Sequence, residues 1–326
     1  MPTTLPKKPS LADGKIDMSH HWGYVAVVFS ALLFGIGITL YKMLLGSASP
    51  LVIAAVTYLA GGLFLACAGL LPGSEKVVSW LKLPTSTKTK FARRDIIILM
   101  LTVLFGAVLA PSVYLSGLNE TTAVNAALLG NTETLFTIGI AFIFLGERGR
   151  MKDYAAMALL VIGAVILTTN LNFGQLDTLG AVFGNLLVVA GSFFWGIDNN
   201  LSRVLAARRG LLQIGSMKEI LGGALLLAII WFFGLGVVVS PVSIAYLAIV
   251  GIFSAGLSLL LFLFSLQEIG AMRTGVIFSM SSLFGAVSAF LILREPISVL
   301  QILAGVLMLF AIYVLSIPAK KQGKLA

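Results

Sequence analysis

The chain has 326 residues, 59% of them hydrophobic and only 11% charged, with a mean hydropathy of +1.04. That composition lies outside the range of soluble globular chains and indicates an all-α, polytopic membrane protein. The net charge of +9 does not describe a nucleic-acid surface, because the Lys and Arg residues fall between apolar runs rather than on one face with aromatic side chains. The single cysteine, Cys67, lies in an apolar run, which leaves no internal disulfide and no Cys-based metal site. His20 and His21 precede the first helix and read as headgroup-boundary residues.

Residues 1–21 form a polar tail with Lys7, Lys8 and Lys15 and no signal-peptide core. The first span, 22–41, precedes small residues Ser47, Ala48 and Ser49, but its apolar run exceeds the roughly 7–15 residues of a signal core and is read as a retained helix. Further spans follow at 50–71, 96–117, 121–145, 153–169, 179–202, 215–236, 242–266, 272–293 and 297–317, each able to cross a hydrocarbon core of about 30 Å. The breaks carry Pro50, Pro72, Gly149, Gly174, Gly210, Pro241, Gly270 and Pro296. The longest, 72–95, carries six Lys and Arg residues and reads as a cytoplasmic loop. With the N-terminus inside, twenty positive residues fall on the inner side and only Lys42 and Arg294 outside. The positive-inside rule therefore predicts a multi-pass cell-membrane protein with both termini cytoplasmic, the 318–326 tail included.

The chain also matches itself. At an offset of 161, Phe34 and Gly35 meet Trp195 and Gly196, and Gly61 and Gly62 meet Gly222 and Gly223. At an offset of 148, residues 105–167 align without a gap to 253–315, pairing Glu120 with Glu268 and Glu147 with Glu295. Leu and Ala matches arise easily in apolar sequence, so the weight falls on the glutamates and glycines. The expected units are 22–169 and 170–317, each of five helices. An odd number of crossings makes the second enter the membrane inverted, a recurrent plan of secondary transporters with the site between the halves.

Ten helices in two five-helix halves, Phe34-Gly35 and Trp195-Gly196 in helices one and six, and Leu-Gly-Glu at 145–147 and Leu-Arg-Glu at 293–295 resemble the EamA-type drug/metabolite transporters. The resemblance covers 22–317. It implies that helices one to four and six to nine surround a central cavity while helices five and ten pack at the edge. The chain departs from the family pattern at Glu133, where many members have proline or a small residue. It also has Thr57 and Tyr58 where an arginine is usual early in helix two.

The candidate site centres on Glu133, placed near the bilayer midplane, where an acid is neutral, paired or facing a wet cavity. On a continuous helix Thr122, Ala126, Gly130, Glu133, Thr137 and Ala141 fall within about 100° of one another. The repeat counterpart carries Phe278, Ser281 and Gly285. Small residues also serve helix packing, but a packing seam gains nothing from a carboxyl that must be desolvated. Glu133 therefore suits a proton-coupled step or a cationic or amine-bearing substrate.

Asn131 lies on nearly the opposite side of that helix, facing a neighbour or extending the cavity. Tyr114, beside Pro111 and Ser112, is a candidate polar contact, and Trp195 and Phe34 are candidate cavity walls. Asp198 and Asn199 are candidates for an inner gate, although Asp198 is equally readable as a solvated acid paired with Arg203 or Lys218. Lys218 and Glu219 read as interfacial, and Glu147 and Glu295 as turn and cap devices before the following helix.

An intramembrane enzyme would need HExxH, a membrane-depth histidine or an aspartyl dyad, none of which the sequence contains. A channel would need a ring of repeated polar backbone. The expectation is a secondary transporter without cofactor, working by alternating access as export or exchange, with protons as a candidate coupling ion. Its substrate would be a small metabolite such as an amino acid or related amine. A phosphorylated substrate would call for cavity Arg or Lys, and helices one to four offer only terminal Lys42. Efflux of cationic drugs and a non-transporting membrane interaction protein are the alternatives.

Overall fold

A computed structural model of the protein describes residues 21–70, 92–144, 149–169, 171, 179–206, 211–235, 239–269 and 271–317. The two tails, most of loop 72–95, and Glu147 lie outside the described residues.

Every apolar run becomes helix, because lipid leaves backbone N–H and C=O groups no partner except one another. Helices α1 (His21–Leu44) and α2 (Pro50–Leu70) are followed by α3, built from Arg93–Thr102, a π-helical segment Val103–Leu109, and Ala110–Glu120. Helix α4 is Ala123–Leu129 and Thr132–Phe144, and α5 is Met151–Thr169. Helices α6 (Leu179–Ala206) and α7 (Leu211–Phe232) open the second half. Helix α8 joins Pro241–Val250, a π-helical Gly251–Leu257 and Ser258–Ile269. Helix α9 joins Ala271–Phe278, Ser281–Ser288 and a π-helical Ala289–Leu293, and α10 is Val299–Ser316. Among the described residues nine of these are long and apolar enough to cross a membrane, and α10 is apolar but shorter. At 1.5 Å per residue α10 still spans roughly 27 Å.

The helix pairing maps onto itself when the halves are exchanged. Helix α1 packs on α8 and α9 as α6 packs on α3 and α4; α2 meets α8 as α7 meets α3; and α2–α7, α4–α9 and α5–α10 are each self-matched. At the α2–α7 crossing the backbones touch. A Cβ on Gly62 would lie 2.7 Å from the Ile220 nitrogen, and one on Gly223 2.7 Å from the Leu59 nitrogen. Small residues are what allow such approach in membrane helices.

Two irregularities repeat as well. The π segments 103–109 and 251–257 are 148 residues apart at both ends. In α3 the wider turn carries the Ala110 N–H to the Phe105 carbonyl just before Pro111, which has no N–H of its own. Helix α8 has no proline there, so the distortion belongs to the repeat and not to Pro111. The expected uninterrupted fourth and ninth spans are instead broken at Gly130–Asn131 and Ser279–Met280, positions matched to within one residue. Gly, Asn and Ser are weak in helix interiors, and Ser279 turns its hydroxyl back to the Val276 carbonyl at 2.6 Å.

Glu295 caps a helix, though not the one that follows it. Ser298 and Gln301 form the α10 capping box, while the Glu295 carboxylate accepts from the Ala123 and Val124 N–H groups, both at 3.0 Å, at the start of α4. Lys42 closes the other side of that turn, donating to the carbonyls of Leu118, Asn119 and Thr121 at 2.7, 3.1 and 2.7 Å. The α3–α4 turn is thereby held by α1 and by the α9–α10 connection.

Candidate functional site

The two helix breaks face each other across a cavity of about 90 Å³, room for several waters at the roughly 10–15 Å³ one requires. Both halves contribute to its wall. From the first come Phe34, Ile38, Tyr114, Ala127, Gly130, Asn131, Glu133 and Thr134, and from the second Trp195, Gly275, Phe278, Ser279, Ser281 and Ser282. Seven of the residues expected from sequence thus meet in one place: Phe34, Tyr114, Gly130, Asn131, Glu133, Trp195 and Ser281. On a straight helix Asn131 and Glu133 would point about 160° apart. The break at Gly130–Asn131 is what brings both to the cavity.

The rings form two flanking pairs. Phe34 and Phe278 lie 5.4 Å apart, and Tyr114 and Trp195 5.0 Å apart. Both polar ends of the second pair are tied down. The Tyr114 hydroxyl donates to the Ala126 carbonyl at 3.0 Å, and Trp195 Nε1 donates to the Gly106 carbonyl at 3.1 Å. Gly106 lies in the π segment of α3, so that distortion serves directly to position a cavity ring.

Among the lining residues Glu133 is the one ionisable acid, and neither Lys nor Arg joins it. Asn199 Nδ2 donates to Glu133 Oε1 at 2.7 Å and to the Thr137 hydroxyl at 3.2 Å. Asn200 Nδ2 fixes the same stretch through the Thr137 carbonyl at 2.9 Å. Thr137 and Asn199 therefore stand beside the cavity as supports of Glu133. Asn131 Nδ2 donates to Ser282 Oγ at 3.0 Å across the two breaks.

The breaks offer few free backbone donors. The N–H groups of Glu133 and Thr134 are bonded to the carbonyls of Gly130 and Asn131 at 3.0 and 3.2 Å, and that of Ser282 to Ser279 at 3.3 Å. An anion would find these donors already used, so recognition falls to side chains.

Three residues stand where the sequence reading did not put them. Asp198 is 2% exposed and turns from the cavity to Lys218, with Nζ to Oδ2 at 2.7 Å and the Ser202 hydroxyl on Oδ1 at 2.9 Å. Asp198 is paired with Lys218, one of its two expected partners, but is buried and not solvated. Lys218 is partly buried, with its side chain 18% exposed, and paired with Asp198. Glu219 is 5% exposed. At the offset of 161 these three positions correspond to Gly37, Thr57 and Tyr58, so the charges have no counterparts in the first half. The contact itself is kept with roles exchanged: a Cβ on Gly106 would overlap the Asp198 carboxylate, and one on Gly37 would overlap Ser254. No three His, Cys, Asp or Glu residues among those described are grouped to hold a metal.

The family model of the EamA-like transporter family matches twice, over residues 21–169 and 182–317. A protein of Methanothermobacter thermautotrophicus named as an uncharacterized transporter is 38% identical over 315 residues, covering 97% of this chain and 92% of that one. The Bacillus subtilis transporter YyaM is 24% identical over 204 residues, or 62% of this chain and 67% of its own length. A Clostridium kluyveri protein with the same transporter designation is 23% identical over 322 residues, covering 92% of this chain and 94% of its own. A solved crystal structure, 20% identical, superposes with a TM-score of 0.60 over 90% of this chain and 94% of that one, which speaks to the fold alone.

Proposed function

Because the chain belongs to the EamA-like transporter family, we propose that it carries a small amine-bearing metabolite, an amino acid or a related amine, across the cell membrane. The observation behind this reading is the cavity at the facing breaks. Two aromatic pairs and one carboxylate surround it, with no basic side chain in its lining. Aromatic faces attract ammonium groups, and Glu133 supplies the opposing charge. A phosphate or lone carboxylate would meet Glu133 and find no Arg or Lys at the wall. The cavity of about 90 Å³ is below the roughly 300–1,000 Å³ of drug-sized sites, which favours a small metabolite over bulky cationic drugs.

Transport runs by alternating access between the units 22–169 and 170–317, as export or exchange, with both termini in the cytoplasm. Glu133 takes a proton or an ammonium group in turn, so protons and substrate compete for one carboxyl. The test uses purified protein in vesicles, with uptake of a panel of amino acids and amines measured with and without an imposed pH gradient. Glu133→Gln should insert and fold yet lose at least about tenfold in amine transport, the scale of about 1.4 kcal/mol, together with its response to the gradient. A variant that transports like the parent at acid and neutral pH removes Glu133 from the mechanism.

A further inference from the structure

Glu219 lies nine residues into α7, about 12 Å from its start at 1.5 Å per residue, where the helix crosses α2. It is 5% exposed, and among the described residues its Oε2 has no hydrogen-bond partner. The carboxyl presses on the α2 backbone, since a Cβ on Gly61 would sit 2.8 Å from Oε2. Its titratable and charged neighbours are Tyr41 from α1, Tyr58 from α2 and Lys218 from α7 itself, with Asp198 from α6 beyond the lysine. Helix α8 adds the Ser254 hydroxyl, which accepts from the Tyr41 hydroxyl at 3.4 Å. Lys218 is committed to Asp198 at 2.7 Å. The lysine is thus taken by Asp198, and Glu219 keeps a buried oxygen with no partner among the described residues.

An ionised group in that setting is an uncompensated buried charge, and a packing role alone would be served better by an apolar side chain. The crossing that buries it joins α2 of one half to α7 of the other, the seam that must loosen if the halves move. We propose that Glu219 is a proton-binding site of the transport cycle. Its carboxyl holds a proton while α2 and α7 are closed on each other and yields it to entering water when they part; the proton comes from and returns to solvent. This rests on the transporter reading but is independent of Glu133.

The full chain in lipid bilayers tests it with protons alone. Infrared difference spectra should show a protonated-carboxyl C=O band at neutral pH that Glu219→Gln lacks and Glu133→Gln keeps. After division by the intrinsic rate, which itself rises with pH, hydrogen exchange of the 50–70 and 211–232 amides should show protection that falls in the parent as that band disappears with increasing pH and is constant in Glu219→Gln. A band that survives in Glu219→Gln, or protection in the parent that ignores pH or is matched by the variant, overturns the proposal. If the Gln variant does not insert, Glu219→Asp must move the band, and an unmoved band has the same force. Failure of amine transport to depend on Glu133 would overturn the substrate reading and leave these two measurements untouched.

Discussion

Asp198 and Lys218 show how a single pair can be costly to break and cheap to replace. Asp198 is buried and Lys218 partly buried, and the pair is joined at 2.7 Å and supported by Ser202. Removing one partner strands the other charge, at a cost of about 3–5 kcal/mol, whereas removing both leaves no such charge. Asp198→Asn and Lys218→Met should each lower thermal stability sharply in detergent, and the double variant should recover most of the loss. Additive losses in that cycle would show that the two side chains act separately. The sequence reading could list Lys218 as a partner for Asp198, but could not show that Asp198 is buried. Distance from a helix end does not say which side of the helix meets protein.

Among the elements, the α3–α4 turn has the most concentrated set of ties. Lys42 holds three carbonyls on one side of it and Glu295 two N–H groups on the other. Glu295→Gln should cost about 1–3 kcal/mol, since a charge-assisted double acceptor becomes a single neutral one. The loss should be read as a lower melting temperature with insertion unchanged, and an unaltered melting temperature would show the cap to be dispensable. Helix number and the repeat were legible because hydropathy and self-alignment average over many residues. The π segments and the breaks were not. Each depends on one or two hydrogen bonds shifted by a residue, and neither Pro111 nor Gly130 distinguishes a kink from a break or from a continuous helix. That gap explains Asn131, which a straight helix turns away from Glu133 and a broken one turns toward it. Phe278, the repeat counterpart of Gly130, proves to be a cavity wall.

On the scale of the whole molecule the two halves are joined by direct side-chain bridges. Ser30 of α1 and Ser258 of α8 approach to 3.2 Å between hydroxyl oxygens, and Ser30 also donates to the Ser258 carbonyl at 2.6 Å. In a Cys67→Ala background, which removes the sole cysteine, the pair Ser30→Cys and Ser258→Cys should form a disulfide on oxidation. If transport needs the halves to move, the oxidised protein should still bind amines but stop moving them, and reduction should restore flux. Undiminished flux in the fully oxidised protein would show that the α1–α8 contact stays fixed through the cycle. A molecule whose halves were alike would have inward-open and outward-open forms of equal energy, each the mirror role of the other. Here Asp198, Lys218 and Glu219 stand opposite Gly37, Thr57 and Tyr58, so an ion pair and an acid belong to one half alone. Under the proposed alternating access, halves that differ in this way make the two forms unequal in energy.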